Sequence, residues 1–284
     1  MRIITLLVVV MLAFASCGSK PATEAGSTSA PAKGKTAVPP PGAIPVEKRA
    51  LVKFADGTLD EYTISDYDPS DVTLIGQNRY SASGGLMDQV EFTYQEEKQV
   101  LTVKMTKDEE NRLKSRIVYQ YNEKNQLAKE TVVNKAGKAV SSNEYAYNNG
   151  GNVASRAILN GNNVKLAETV YTYNGTLVVA SETKDGQGKP ISSSQNEYDR
   201  DGNLVSQVLR NAAGNVSRRI TTVWQNGKEI ENTQISGDGK VQLKITNEYG
   251  NTGELLKKTV ENYQGNSVQV MEFEYEFRTD RGRT

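Results

Sequence analysis

The sequence predicts an all-β protein, an extended antiparallel β-meander of hairpin repeats whose sheet is curled or spiralling. Three observations predict this fold. Aromatic residues recur at intervals of about 26 residues through most of the chain, and turn signals containing Gly or Asn fall twice in each interval. Between the turns, apolar residues tend to alternate with polar ones, which is the pattern of β-strands with two different faces.

The repeat is defined by the aromatic residue that ends every second predicted strand. Successive copies are 25 to 27 residues apart, so the spacing hardly drifts. An internal repeat of this kind has to be recognised before any local motif is interpreted. It predicts a β-hairpin repeat domain over residues 86–277. The repeated residues are Tyr94, Tyr121, Tyr147, Tyr173, Tyr198, Trp224, Tyr249 and Tyr275.

Short turns are predicted where Asn or Asp precedes glycine, because tight hairpins need residues that accept a positive φ. Such pairs would break helices throughout the domain. Two turns in each repeat leave about eight residues for each strand, which is a usual strand length. The pairs begin at Asp56, Asn149, Asn160, Asn174, Asp185, Asp201, Asn226 and Asp238.

The two faces of the predicted strands differ in polarity. In residues 113–121 one face carries Leu113, Ile117, Tyr119 and Tyr121, whereas the other carries mainly Lys, Arg and Gln. Two interpretations of the tyrosines remain open: they present an aromatic surface to a partner, or they pack against Leu and Val of the neighbouring strand. The candidate binding face consists of Tyr119, Tyr121, Tyr145, Tyr147, Tyr171, Tyr173, Tyr198 and Trp224.

The amino terminus has the order of a secretory signal, with Arg2, an apolar run and then small residues before Cys17. The run is too short to span a bilayer as a stable helix. The segment Phe14-Ala15-Ser16-Cys17 resembles the signal of bacterial lipoproteins. This resemblance implies a signal peptide over residues 1–16, lipid on Cys17 with acyl chains such as palmitate, and an outer-membrane address. Three acyl chains give a stable membrane anchor.

The remaining segments flank the repeats. Residues 17–45 contain six of the eight prolines and almost no large apolar residue, so we expect a disordered tether after the lipidated cysteine. Residues 46–85 fit the repeat less well, and we expect them to form an atypical N-terminal β cap on the first edge. Residues 278–284 include Arg278, Arg281 and Arg283 and are expected to form a basic tail.

Composition limits the chemistry. The 34 basic residues balance the 34 acidic ones, so no global field attracts nucleic acid, and we expect no nucleic-acid partner. Histidine is absent and Cys17 is the one cysteine. This excludes a histidine base, a free thiolate and an imidazole metal site. We therefore expect no catalytic residues, no metal site and no cofactor.

One local motif suggests a calcium loop, because Asp199-Arg200-Asp201-Gly202-Asn203 is rich in oxygen ligands. The repeat favours a turn, since equivalent positions carry other residues and the glycine and glutamate of an EF-hand are not in place. With Tyr198 and Leu204 the segment resembles the YD or Rhs repeat, which implies hairpins in a spiralling sheet. The lipid anchor, tether and polar strands also resemble spirochaetal outer-surface lipoproteins with extended sheets.

These observations favour a non-enzymatic, lipid-anchored envelope protein that presents an extended sheet for binding or adhesion to a host or envelope protein, or to a glycan. A structural or spacer lipoprotein of the outer envelope is the alternative. A glycoside hydrolase with a carboxylate pair is less favoured, because the acids lie mostly in turns and on polar strand faces. A transmembrane barrel is disfavoured, since strands such as residues 141–145 offer no apolar face.

Overall fold

A computed structural model describes residues 42–95 and 100–279. These residues form eighteen β-strands and no helix, so the prediction of an all-β antiparallel meander is confirmed. In the described residues there is accordingly no helix long and apolar enough to cross a membrane. The strands are β1 (Ala43–Phe54), β2 (Leu59–Tyr67), β3 (Leu74–Ser81), β4 (Leu86–Gln95), β5 (Val100–Asp108), β6 (Leu113–Tyr121), β7 (Leu127–Val133), β8 (Ala139–Tyr147), β9 (Val153–Asn160), β10 (Lys165–Asn174), β11 (Leu177–Asp185), β12 (Pro190–Tyr198), β13 (Leu204–Asn211), β14 (Val216–Gln225), β15 (Lys228–Ser236), β16 (Val241–Tyr249), β17 (Leu255–Asn262) and β18 (Ser267–Thr279).

The sheet closes on itself. Each strand pairs antiparallel with the strand before it, and β18 pairs antiparallel with β1. The closing register runs from Ala43 opposite Thr279 to Phe54 opposite Gln269. Closure removes both sheet edges, which an open meander would leave unpaired. The curled sheet is therefore an 18-stranded barrel.

Closure changes the roles expected for the flanking segments. Residues 46–85 were expected to cap an open edge, but β1, β2 and β3 continue the meander and join β18 to β4. The last residues of the expected tether, from Ala43 to Pro45, already belong to β1. Arg278 was expected in a basic tail, yet it lies in β18 and its Nη1 donates to the Asp68 and Asp71 carbonyls at 2.8 and 3.2 Å.

The barrel is hollow. Among the described apolar residues only Val46 and Leu159 are buried, and no side chain is fully enclosed. Each described strand contacts only its two neighbours in the sheet, so no described strand crosses the interior. Barrels of 16 to 18 strands are wide enough to leave an aqueous lumen. Stability therefore comes from pairing along the sheet, because the fold lacks a packed core.

Seven of the described hairpins share one turn design. A residue at or just after the strand end uses its side-chain oxygen to accept backbone N–H groups two and four positions later, and a left-handed residue closes the turn. In the turn after β11, Asp185 accepts from the amides of Gln187 and Lys189, and Gly188 has a φ of 86°. Asp199 plays the same part after β12 and accepts from Asp201 and Asn203.

The left-handed residue is not always the glycine that the sequence pairs suggest. Gly57, Gly175, Gly202, Gly227 and Gly239 do have a positive φ, as predicted. In the turns that begin near Asn149, Asn160 and Asp185, however, the left-handed residues are Gly151, Asn163 and Gly188. The reason is that Asn or Asp there opens the turn as a hydrogen-bond acceptor, so the left-handed position comes later.

Candidate functional site

An aromatic belt runs around one end of the barrel. In each of nine repeats, the aromatic residue at or near the end of an even-numbered strand donates a hydrogen bond to the carbonyl of the residue 20 positions earlier. The donor to acceptor distances are 2.8 or 2.9 Å throughout. The belt consists of Tyr67, Tyr94, Tyr121, Tyr147, Tyr173, Tyr198, Trp224, Tyr249 and Tyr275, and its acceptors are the carbonyls of Glu47, Leu74, Leu101, Leu127, Val153, Val178, Leu204, Glu229 and Leu255.

The belt closes as the sheet does. Each accepting residue lies opposite the preceding aromatic residue, so Leu127 pairs with Tyr121 and accepts from Tyr147. At the junction of β18 and β1, Glu47 pairs with Tyr275 and accepts from Tyr67. The hydrogen bonds therefore link every hairpin to the previous one around a complete ring.

Tyr67 is the ninth member of the belt and is not among the eight aromatic residues predicted from the repeat. A signal was present, because Tyr67 precedes Tyr94 by 27 residues, which is the spacing of the next pair. The irregular segment between β2 and β3 hid it. That connection is closed by side chains of Asp68 and Asp71, which accept from the amides of Ser70 and Thr73, and it contains no glycine.

Five residues of the candidate binding face, Tyr121, Tyr147, Tyr173, Tyr198 and Trp224, belong to the belt. Their polar atoms are already used by backbone carbonyls, and burial raises the pKa of Tyr121, Tyr147 and Tyr173 above the ordinary value. Burial also raises the pKa of Tyr275 to about 12, with the Glu47 carboxylate adding to the effect. The belt thus joins neighbouring hairpins, and the O–H or N–H donor of each belt residue is already used in doing so.

The belt defines one face of the sheet, here named the belt face. On β6 the belt-face side chains are half-buried, whereas Gln120 of the opposite face is exposed, as are Thr172 on β10 and Val223 on β14. Side chains converge on the concave side of a closed sheet and diverge on the convex side, so the concave side is the less exposed one. The belt face therefore lines the lumen.

Beside the belt, aromatic and charged side chains alternate across seven adjacent strands on the belt face. The aromatic members lie two residues before a belt residue, and each charged member stands directly opposite an aromatic one or between two of them. Phe92 is opposite Lys104, Tyr119 is opposite Glu130, and Tyr145 is opposite Arg156. We name this set the aromatic–charged row; it consists of Phe92, Lys104, Tyr119, Glu130, Tyr145, Arg156 and Tyr171.

The middle of the row is tied together by hydrogen bonds. Glu130 Oε2 accepts from the Tyr145 hydroxyl at 2.8 Å and from Asn143 Nδ2 at 3.1 Å. Burial raises the pKa of Tyr145, the neighbouring Glu130 raises it further, and the positive charge of Arg156 opposes the shift. Burial, again with Glu130, raises the pKa of Tyr119 to about 12. Both phenols therefore stay protonated at neutral pH.

Other polar groups of the row have no partner among the described residues. Neither Lys104 nor Arg156 forms a salt bridge there, and Arg156 Nε is buried without an acceptor. Lys104 Nζ lies 5.8 Å from the centre of the Phe92 ring. The hydroxyls of Tyr119 and Tyr171 also lack a hydrogen bond within the described part of the chain. Arg156 Nε is the one such atom of the row that is also buried; outside the row, Arg49 Nε and Asn247 Oδ1 are the other described side-chain atoms in this state, which is rare in proteins.

The row occupies only part of the ring. On β12, β14 and β16 the positions two residues before the belt carry Asn196, Thr222 and Asn247. Asn196 Nδ2 donates to the Val178 carbonyl at 2.8 Å, and Asn247 Nδ2 donates to the Glu229 carbonyl at 3.0 Å, so these amides reinforce the belt. The lumen thus has an aromatic sector with unused polar groups and an amide sector whose side-chain amide donors are used, although Asn247 Oδ1 there has no donor among the described residues.

The row includes Tyr119, Tyr145 and Tyr171, three residues of the candidate binding face. It adds Phe92 and three charged residues that were not predicted from the sequence. A shallow depression of about 460 Å³ lies next to it, lined by Tyr145, Tyr147 and residues of the turns that follow β6 and β8. The described residues contain no group of acidic side chains suited to a metal ion. Cys17 lies outside the described residues.

No protein-family model matches the chain, and no curated protein matches it. Among solved structures, a porin-like protein from Bacteroides vulgatus is 12% identical over 81% of this chain and 98% of its own, with a TM-score of 0.37. A porin-like protein from Bacteroides uniformis is 10% identical over 81% and 96% of the two chains, with a TM-score of 0.30. The Tc holotoxin pore of Photorhabdus luminescens is 12% identical over 80% of this chain, with a TM-score of 0.30. The present chain spans about 16% of the length of that toxin chain. Likenesses of this degree bear on neither family nor function.

Proposed function

We propose that this chain is a non-enzymatic, lipid-anchored protein of the bacterial cell envelope whose hollow barrel binds an extended ligand, a glycan chain or an extended protein segment, along the aromatic–charged row. The anchor and the envelope location rest on the lipoprotein-like segment ending at Cys17. The binding role rests on the barrel itself.

The observation that carries the binding role is the contrast between the belt and the row. Every belt residue has its polar atom bonded to a backbone carbonyl, so the belt is explained by structure alone. The row instead leaves two cationic groups and two phenol hydroxyls without partners among the described residues, next to aromatic rings in a wide lumen. A few convergent polar groups on an aromatic surface are typical of ligand sites.

The non-enzymatic part of the proposal is supported by the carboxylate of the row. Glu130 is its one acid, and two donors hold the same oxygen. Hydrolysis of glycosides generally needs a pair of carboxylates on either side of the bond. The row contains one carboxylate, and its Oε2 already accepts two hydrogen bonds.

The proposed membrane contact is through the lipid alone. Opposite-face side chains include ion pairs within the strands, such as Lys129 with Glu144 at 2.9 Å and Lys244 with Glu231 at 2.9 Å. The belt face carries Glu130 and Arg156 at similar depth. Neither face therefore has the continuous apolar band that contact with hydrocarbon requires.

A structural spacer is the second candidate, and the completeness of the aromatic belt favours it. A ring of nine equivalent hydrogen bonds is what a rigid envelope element needs. The two functions differ in the role of the row. A spacer does not require unpaired cations and hydroxyls beside the belt, whereas a binding site does.

The test is binding by the purified, processed protein to arrays of polysaccharides and extended peptides. We expect a ligand whose affinity falls about ten-fold or more in Tyr119→Ala and Tyr171→Ala, as for central aromatic residues of an interface. The matched control is Tyr263→Ala, since Tyr263 is an exposed tyrosine in the turn after β17. Absence of any ligand, or equal losses in all three variants, would favour the spacer.

A further inference from the structure

We infer that the ligand of the aromatic–charged row is an acidic glycan, a sugar chain that carries carboxylate or sulfate groups. This inference rests on the proposed binding function and names the class of ligand for the same site. It follows from the charges of the row, their spacing and the place of the row inside the barrel.

The row has a net positive charge that is available to a ligand. The row holds two cations, Lys104 and Arg156, against one carboxylate, that of Glu130, which accepts hydrogen bonds from Tyr145 and Asn143 on one oxygen. Lys104 and Arg156 have no carboxylate partner among the described residues, although salt bridges are common elsewhere in the barrel. Lys258, which stands opposite Asn247 on the same face, is also without a salt bridge in the described part of the chain, so the lumen offers positive charge to an anionic partner.

The two cations are spaced for a chain with separated charges. Lys104 is on β5 and Arg156 is on β9, and four inter-strand steps place them about 19 Å apart. Between them stand Tyr119 and Tyr145 on alternate strands, about 9.6 Å from each other. Aromatic rings offer an apolar face with a polar tip, which suits sugar rings that are apolar on one side and rich in hydroxyls at the edge.

Other anionic polymers fit less well. A nucleic-acid strand carries a charge about every 3.4 Å, and its binding depends on many phosphate contacts. The row supplies only two unpaired cations, and the chain as a whole has a formal net charge of zero. A folded acidic protein would meet the convex side of the barrel first, where several described acids and bases form pairs, such as Lys129 with Glu144. A slender, sparsely charged chain matches the lumen and the row together.

The experiment uses the full processed protein and two acidic probes, oligogalacturonate and chondroitin sulfate oligosaccharides. Their carboxyl-reduced and desulfated counterparts are the neutral probes, and a single-stranded thymidine oligonucleotide is the nucleic-acid probe. We expect at least one acidic probe to bind about ten-fold more tightly than its neutral counterpart, since charge-assisted hydrogen bonds are about twice as strong as neutral ones. Comparison of the two acidic probes identifies carboxylate or sulfate as the recognised group.

Substitutions in the row test whether the preference for acidic probes arises there. Lys104→Gln and Arg156→Gln should each weaken the acidic probe several-fold and leave its neutral counterpart unaffected. The matched controls Lys129→Gln and Arg219→Gln remove the same charges from the opposite face and should leave both affinities unchanged. The affinity for the acidic probe should also fall with added salt, because the unpaired cations would be screened.

The outcomes separate this inference from the proposed function. Equal affinity for acidic and neutral sugars, lost in Tyr119→Ala, overturns the acidic-glycan inference and leaves the binding function in place. Tighter binding of the thymidine oligonucleotide than of any sugar also overturns it. Failure of every sugar, peptide and oligonucleotide to bind overturns both.

Discussion

Individual glycines show how closely the backbone is packed at the turns, even though the barrel has no core. Gly161, Gly186 and Gly237 follow the ends of β9, β11 and β15. A Cβ atom at each would collide with a backbone carbonyl oxygen of the preceding hairpin strand, namely that of Ala139, Lys165 or Val216. Their φ angles are not in the left-handed region. These positions therefore require glycine for space, whereas the usual reason in a turn is backbone conformation.

Replacement of Gly186 by alanine tests this explanation. We expect Gly186→Ala to lower the free energy of unfolding by about 1–3 kcal/mol, the usual cost of forcing extra atoms into a filled site. The Lys165 carbonyl belongs to a paired strand and cannot move without loss of sheet hydrogen bonds. Urea denaturation followed by circular dichroism gives the measurement. The control is Gly265→Ala, where a Cβ would meet only side-chain atoms at 3.4 Å or more. Equal urea midpoints for Gly186→Ala and Gly265→Ala would contradict the explanation that Gly186 is required for space.

At the scale of the element, the hairpin repeat combines a feature that sequence shows with one that it hides. The aromatic residue is visible because its spacing is regular, and the strands follow from the turn signals. Its acceptor is a backbone carbonyl, which leaves no mark on residue type. The acceptor residues accordingly vary from Leu and Val to Glu47 and Glu229. A spacing pattern can therefore predict the positions of the belt residues, but it cannot predict their hydrogen bonds to backbone carbonyls.

The charged members of the row were hidden by β-bulges. Simple alternation from Leu127, which faces Tyr121, would place Lys129 on the belt face. The register shifts between Gln120 and Tyr121, so that Lys129 faces Gln120 and Glu130 faces Tyr119. The same shift at the start of β9 brings Arg156 opposite Tyr145. Because one extra residue reverses the faces of the rest of a strand, the row cannot be read from periodicity alone.

The contribution of one belt bond can be measured through its dependence on pH. Tyr147 donates to the Leu127 carbonyl at 2.8 Å, and burial raises the pKa of Tyr147 above that of an unfolded tyrosine. Tyr147→Phe should therefore cost about 0.5–1.5 kcal/mol at pH 8, the net value of a hydrogen bond. A raised folded pKa means that this stability is fully present below the unfolded pKa and is lost as pH rises through the folded one. The difference between wild type and Tyr147→Phe in urea denaturation should shrink above about pH 10.

Trp224 supplies the matched control for that experiment. Its Nε1 donates to the Leu204 carbonyl at 2.9 Å in the same belt position, but an indole does not ionise in this range. The cost of Trp224→Phe should thus be the same at pH 8 and at pH 11. If the two variants lost their effects together at high pH, the belt bond of Tyr147 would not be the cause.

At the scale of the whole molecule, closure is the feature that the sequence could not show. The meander follows from local turns, because each hairpin pairs neighbours in the chain. Pairing of β1 with β18 joins residues at opposite ends of the described chain, such as Val52 and Met271. No turn signal specifies the pairing of β1 with β18, and an open curled sheet would have the same pattern of strands and turns. The belt marks closure only in three dimensions, where the Tyr67 hydroxyl reaches the Glu47 carbonyl opposite Tyr275.

A disulfide across the closing strands tests the barrel directly. Val52 and Met271 are directly opposite in the antiparallel pair, where Cα atoms lie about 4.5–5.5 Å apart, within the range of a disulfide. The double variant Val52→Cys with Met271→Cys should form an intramolecular disulfide under oxidising conditions, measured as a faster band in non-reducing electrophoresis and by mass spectrometry. Val52→Cys with Lys258→Cys is the control, because Met271 of β18 lies between the two residues and separates them by about 9.6 Å. An open sheet would bring neither pair together, so a reduced monomer or a cross-linked dimer from the first variant would contradict closure.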